Sequence, residues 1–70
     1  MQRKAVISSN LRSIGYDETS RVLEIEFKDN TVYQYFSVPA GEHRGLMSAT
    51  SHGKYLHAHI KGVYQYEKVR

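Results

Sequence analysis

Residues 22–28 read Val-Leu-Glu-Ile-Glu-Phe-Lys, an alternation of apolar and charged side chains that is unbroken from Leu23 onward. Successive side chains of a β-strand point to opposite faces, so Leu23, Ile25 and Phe27 share one face while Glu24, Glu26 and Lys28 share the other. This run demands a sheet with one covered face and one solvated face. The demand is severe because the chain has only 70 residues, enough for one domain, and no cysteine. No disulfide framework or thiolate zinc site can substitute for a core at this length.

The turn after this strand sets how the rest of the sheet faces. Asp29 and Asn30 tolerate the backbone of a tight turn, and Val32-Tyr33-Gln34-Tyr35 then returns as a further strand running towards Phe36 and Val38. A two-residue loop at Asp29-Asn30 pairs Phe27 with Val32 and turns Tyr33 and Tyr35 outward. A three-residue loop, Asp29-Asn30-Thr31, pairs Phe27 with Tyr33 and Ile25 with Tyr35, placing both rings on the core face. The second register is preferred because it does not bury the Gln34 amide without a partner.

Upstream, Ser9–Tyr16 alternates with Ile14 and Tyr16 on one side, and the polar run 17–20 forms a turn. Residues 1–7 are expected as a flexible lead-in whose apolar run is too short for a signal peptide, which favours a cytoplasmic protein. Downstream, Pro39 suits a helix start and Glu42 suits its first turn, giving a short helix over 39–49 weakened by Gly41 and Gly45. Ser51 is an N-cap for a second helix, His52–Lys61, with Tyr55, Leu56, His59 and Ile60 near one stripe and Gly62 ending it. Val63-Tyr64-Gln65-Tyr66 repeats the earlier tetrapeptide in a terminal strand. The flanks differ too much for a duplicated module. The order predicts an α+β fold: a three-stranded antiparallel meander, two short helices packed on one face, and a short C-terminal strand.

In order and spacing, several segments resemble the KTSC domain, a small domain named for its place at the C-terminus of some lysyl-tRNA synthetases and also found alone. They are Ser9-Asn10 with Ile14-Gly15-Tyr16-Asp17, Leu23–Phe27, Tyr33-x-Tyr35 with Val38-Pro39, Ser51-x-Gly53-Lys54-Tyr55, and His59-Ile60-Lys61-Gly62-x-Tyr64. The resemblance spans about residues 8–69 and implies the fold. It brings no established activity; the attachment to a synthetase implies a role at RNA.

The residues themselves allow two functions. Net charge is +3, which mildly favours an anionic partner. Arg44, His52, Lys54, His57 and Lys61 fall on the two predicted helices, with Lys54, His57 and Lys61 near helical spacing, giving a strip able to meet phosphates. Tyr33 and Tyr35 either stack bases or fill the core, with packing the stronger reading. Tyr64 and Tyr66, beside Lys61 and Lys68, are the better candidates for exposed contact. The leading expectation is a non-enzymatic module that binds RNA through Arg44, Lys54 and Lys61, with Lys68 nearby and stacking on Tyr64 or the Tyr33/Tyr35 pair. The alternative is a protein-interaction or homodimerisation module.

The second helix's histidines, His52, His57 and His59, are five and two residues apart. Metal ligands on one helix face want three or four, so no metal is expected. No cofactor, small-molecule substrate or membrane contact is called for, and Glu24 and Glu26 read as an exposed strand face rather than an acid–base pair.

Overall fold

The computed structural model describes all residues, Met1–Arg70. Five strands, β1 (Arg3–Ala5), β2 (Leu11–Asp17), β3 (Val22–Phe27), β4 (Val32–Tyr35) and β5 (Tyr66–Lys68), form one antiparallel sheet in chain order. Between β4 and β5 run α1 (Ala40–Ser48) and α2 (His52–Tyr55), the latter continuing as a π-helical stretch over Leu56–Ile60.

The expected meander is thus the middle of a wider sheet. β1 arises from residues read as a lead-in and pairs with the far side of β2, Lys4 opposite Ile14. β5 returns to β4, Tyr66 opposite Tyr35. Both added strands have three residues, too short for an alternating pattern to show, and each is defined by the neighbour that accepts its hydrogen bonds.

The β3–β4 hairpin takes the expected face in a different register. Its loop is Lys28-Asp29-Asn30: the Phe27 amide donates to the Thr31 carbonyl at 2.8 Å, and the Asn30 amide donates to the Phe27 carbonyl at 3.0 Å. Asn30 takes the left-handed backbone at φ 73°, which suits the last position of a three-residue loop. The Asp29 carboxylate accepts from the Thr31 amide and hydroxyl at 3.1 and 2.6 Å, fixing the turn. Tyr33 therefore pairs with Ile25 and Tyr35 with Leu23, two residues along from the expected pairs. A slip of two preserves the face, so the tyrosines still lie on the side of Leu23 and Ile25.

In β2, Ile14 and Tyr16 stand opposite Ile25 and Leu23, while an irregularity between Leu11 and Ser13 absorbs Arg12. The core joins Leu11, Ile14, Leu23, Ile25 and Tyr35 of the sheet to Val38, Leu46, Leu56 and Ile60 from the helical side. Leu46 is the only fully buried residue of α1. Ser51 caps α2, its hydroxyl accepting from the Lys54 amide at 3.3 Å. The expected regular helix from His52 widens instead, the Lys61 amide reaching the Leu56 carbonyl five residues back. Gly62, at φ 82°, ends it.

The opposite face of the sheet is a polar network rather than an open row of acids. Arg3 donates to Glu24 at 2.8 Å, where Gln34 also donates. The Ser13 hydroxyl and Arg70 reach the two oxygens of Glu26 at 2.8 and 2.9 Å. Glu24 and Glu26 are consequently only 13% and 14% exposed. Their coverage comes from Arg3, on a first strand that the alternating pattern did not foresee, and from Arg70, just after the expected C-terminal strand. No helix is long and apolar enough to cross a membrane.

Candidate functional site

Where β4 and β5 meet the end of the second helix, the core face runs out from under its cover. Tyr33 and Tyr35 come from β4, Phe27 from the end of β3, and Tyr66 from β5; Lys61 and Gly62 close the helical side. These residues line a groove of about 460 Å³. Tyr66 is 61% exposed and leans over both β4 tyrosines, with centroids 5.7 Å from Tyr33 and 5.9 Å from Tyr35. Phe27 meets Tyr33 edge to face at 5.6 Å. Tyr35 is buried beneath, and burial, followed by the neighbouring Tyr33 and Tyr66, pushes its hydroxyl above the ordinary tyrosine value.

The groove continues along the surface. A shallower hollow shares Phe27, Asp29 and Lys61 with it and adds Lys28, Ser9 and Asn10. A third shares Ser9 and Asn10 and adds Ser51, Lys54 and His57. An aromatic end thus leads into a polar path carrying Lys61, Lys28 and Lys54. None of these lysines has a carboxylate partner, because the ion pairs of this chain involve Arg3 and Arg70 alone. Lys68 stands opposite Tyr33 in the β4–β5 ladder. Asp29 is the one acid in the aromatic groove. Its carboxyl is held below the ordinary range by hydrogen bonds from the Thr31 side chain and amide, so it is ionised at neutral pH.

The expected residues divide among different places. Tyr33, Tyr35 and Lys61 line the groove together, Lys68 flanks it on β5, and Lys54 lies at the far end of the path. Arg44 lies in a separate hollow against β1 and β2. Tyr64, expected among the exposed contacts, is half-buried and gives its hydroxyl to Glu42 at 3.3 Å; Tyr55 meets the other Glu42 oxygen at 2.6 Å. That carboxylate ties α1 to the second helix and to the segment before β5. His52 likewise leaves the basic strip, its Nδ1 donating to the Leu46 carbonyl at 2.8 Å.

Phe27 and Lys28 were not foreseen as site residues. Phe27 reads as core from its alternation, and only the strand's end position exposes its ring edge to the groove. Lys28 reads as a solvated strand residue, and the hairpin loop carries it to the path.

A five-stranded antiparallel sheet covered on one face by two short helices, with an uncovered aromatic edge, defines a small α+β domain. The chain belongs to the KTSC domain family, whose model matches residues 7–66. It is similar to an uncharacterized protein of Stutzerimonas stutzeri, 39% identical over 61 residues, which cover 87% of this chain and 86% of that protein. It is also similar to a lysine–tRNA ligase of Trichormus variabilis, 38% identical over 61 residues. The chain spans about 11% of that ligase's length. The crystal structure of a KTSC domain protein from Yersinia pestis superposes with a TM-score of 0.96 at 43% identity, covering 99% of this chain and 97% of that one.

Proposed function

We propose that the protein is a binding module for single-stranded RNA, with bases seated against Tyr66 and Tyr33 and the backbone following Lys61, Lys28 and Lys54. The carrying observation is the exposed Tyr66 ring standing over Tyr33 beside a path of unpaired lysines. Base stacking on aromatic rings is tolerant of sequence, and lysines on a groove neutralise phosphates without reading bases. A segment similar to this chain lies within a protein named as a lysine–tRNA ligase, which supports the choice of RNA as the partner.

Fluorescence polarisation with a labelled single-stranded RNA of about twelve nucleotides tests this reading. Engagement of three lysines gives a slope of about −2 in log affinity against log salt, at about −0.7 per neutralised phosphate. Tyr66→Ala weakens binding by about 1–3 kcal/mol, the usual value of one stacked base. A folded domain that shows no binding at low salt removes the proposal.

A self-association reading has its own observation: β5 leaves its outer edge unpaired, with Val63, Tyr66 and Val69 exposed around it. Sedimentation equilibrium separates the two. A dimer that forms independently of salt and is lost in Tyr66→Ala favours that second reading.

A further inference from the structure

At the other end of the sheet from the tyrosine groove, an open hollow of about 840 Å³ lies between β1, β2 and α1. Arg3 and Lys4 enter it from β1, Tyr16 from β2, and His43 and Arg44 from α1. No aspartate or glutamate lines it. Arg3 turns its guanidinium to Glu24, whereas Lys4 and Arg44 have no carboxylate partner.

Two features make this more than a solvated basic face. First, the imidazole of His43 is held in place: it lies flat on the Tyr16 ring, centroids 4.7 Å apart and planes 11° off parallel, and the Tyr16 hydroxyl is tied to the Val38 carbonyl. Second, the wall depends on a bare glycine. A Cβ at Gly15 would come within 2.8 Å of the Gln2 carbonyl and 2.9 Å of Arg3 Cγ, so only glycine lets β1 lie this close.

Lys4, His43 and Arg44 come together without a counter-charge, which disfavours a proton on the imidazole and favours an anion among them. Next to them the half-buried Met47 and the Tyr16 ring supply apolar surface suited to an organic group rather than to water. We propose that this hollow is a second site, separate from the tyrosine groove, which takes a phosphate monoester with Lys4, Arg44 and His43 as its cationic partners. The monoester has two sources of the same chemistry, a free nucleotide or the 5′ end of an RNA.

His43 reports occupancy directly. In the free protein burial, then Arg44 and Lys4, hold its pKa below the ordinary 6.5. The other groups facing it are Tyr16 and Arg3; Glu42, next in sequence, is engaged by Tyr55 and Tyr64. A bound anion favours the imidazolium, so it raises the titration midpoint.

The experiment follows the His43 ring by NMR across pH 5 to 8 while AMP is added to the intact protein, with ionic strength held constant by sodium chloride. AMP is expected to shift the His43 signals saturably and raise their midpoint, and adenosine is expected to do neither. Lys4→Ala with Arg44→Ala, both at exposed positions, weakens the response by about tenfold or more. Tyr66→Ala leaves it unchanged. A response to a 5′-phosphorylated trinucleotide but not to its 5′-hydroxyl form supports the site and assigns an RNA end as its source; a response to AMP but not to either trinucleotide supports it and assigns a free nucleotide. An AMP-independent midpoint, an equal effect of adenosine, or loss of the response in Tyr66→Ala overturns the proposal. None of these outcomes depends on whether RNA binds the tyrosine groove.

Discussion

Ser13 is a buried polar residue whose hydroxyl donates to Glu26 on the sheet face away from the helices. Glu26 is held below the ordinary carboxylate value of 4.5, first by that hydroxyl and then by Arg3 and Arg70. A carboxyl whose folded pKa is depressed contributes stability above the unfolded pKa and loses it as pH falls through the folded one. Ser13→Ala is therefore expected to lower the urea midpoint at pH 7, and to lower it less at a pH below the carboxylate range, where Glu26 is protonated in both states. An equal loss at both pH values counts against a charge-assisted role for the hydroxyl. His43 works in the opposite sense. Its folded pKa lies below the unfolded 6.5, so protonation favours the unfolded chain, and stability falls as pH drops below about 6.5. His43→Phe keeps a ring against Tyr16 and removes the titration; thermal unfolding at pH 5 and 7.5 should show a smaller acid loss than in the parent.

At the scale of elements, α1 is a poor helix by composition, with two glycines in nine residues. Packing explains one of them. A Cβ at Gly45 would fall on the Tyr55 hydroxyl and within 2.8 Å of Cζ, so glycine opens the space in which Tyr55 crosses α1 to reach Glu42. Gly45→Ala gains helix propensity on paper yet is expected to destabilise by about 1–3 kcal/mol through overpacking. A stabilised variant in urea unfolding contradicts that account. Leu46 is the one side chain that the helix buries fully in the core. Leu46→Ala should cost about 2–5 kcal/mol, as for other buried leucines, a large share of the roughly 4–10 kcal/mol expected for a domain of this length.

For the molecule as a whole, the field along the proposed RNA path is broken by one acid. Asp29→Asn keeps an oxygen for Thr31 and removes the charge among Lys28, Lys61 and the groove. It is expected to tighten RNA binding several-fold at low salt, with the difference shrinking as salt rises. Unchanged affinity at every salt concentration would show that Asp29 lies off the path.

Local order was readable from the chain alone. Alternation at Leu23–Phe27, the Asn-bearing turn and the Ser51 cap each depend on residues close in sequence, so the three central strands, the hairpin and both helix starts could be placed, and the α+β class with them, whereas β1 could not. Even the face of Tyr33 and Tyr35 was legible, because strand parity survives a shift of two residues. The features that sequence could not decide depend on partners far along the chain. Tyr64 and Tyr66 occupy equivalent-looking places in one tetrapeptide, yet Glu42, 22 residues back, draws Tyr64 inward, while pairing with β4 sets Tyr66 over Tyr33 at the edge. Likewise, Arg44 and Lys61 looked like parts of one basic strip, and packing of α1 against β1 and β2 sent Arg44 to the other end of the sheet. Periodicity fixes which way a side chain points from its own element; only the assembled sheet decides what it finds there.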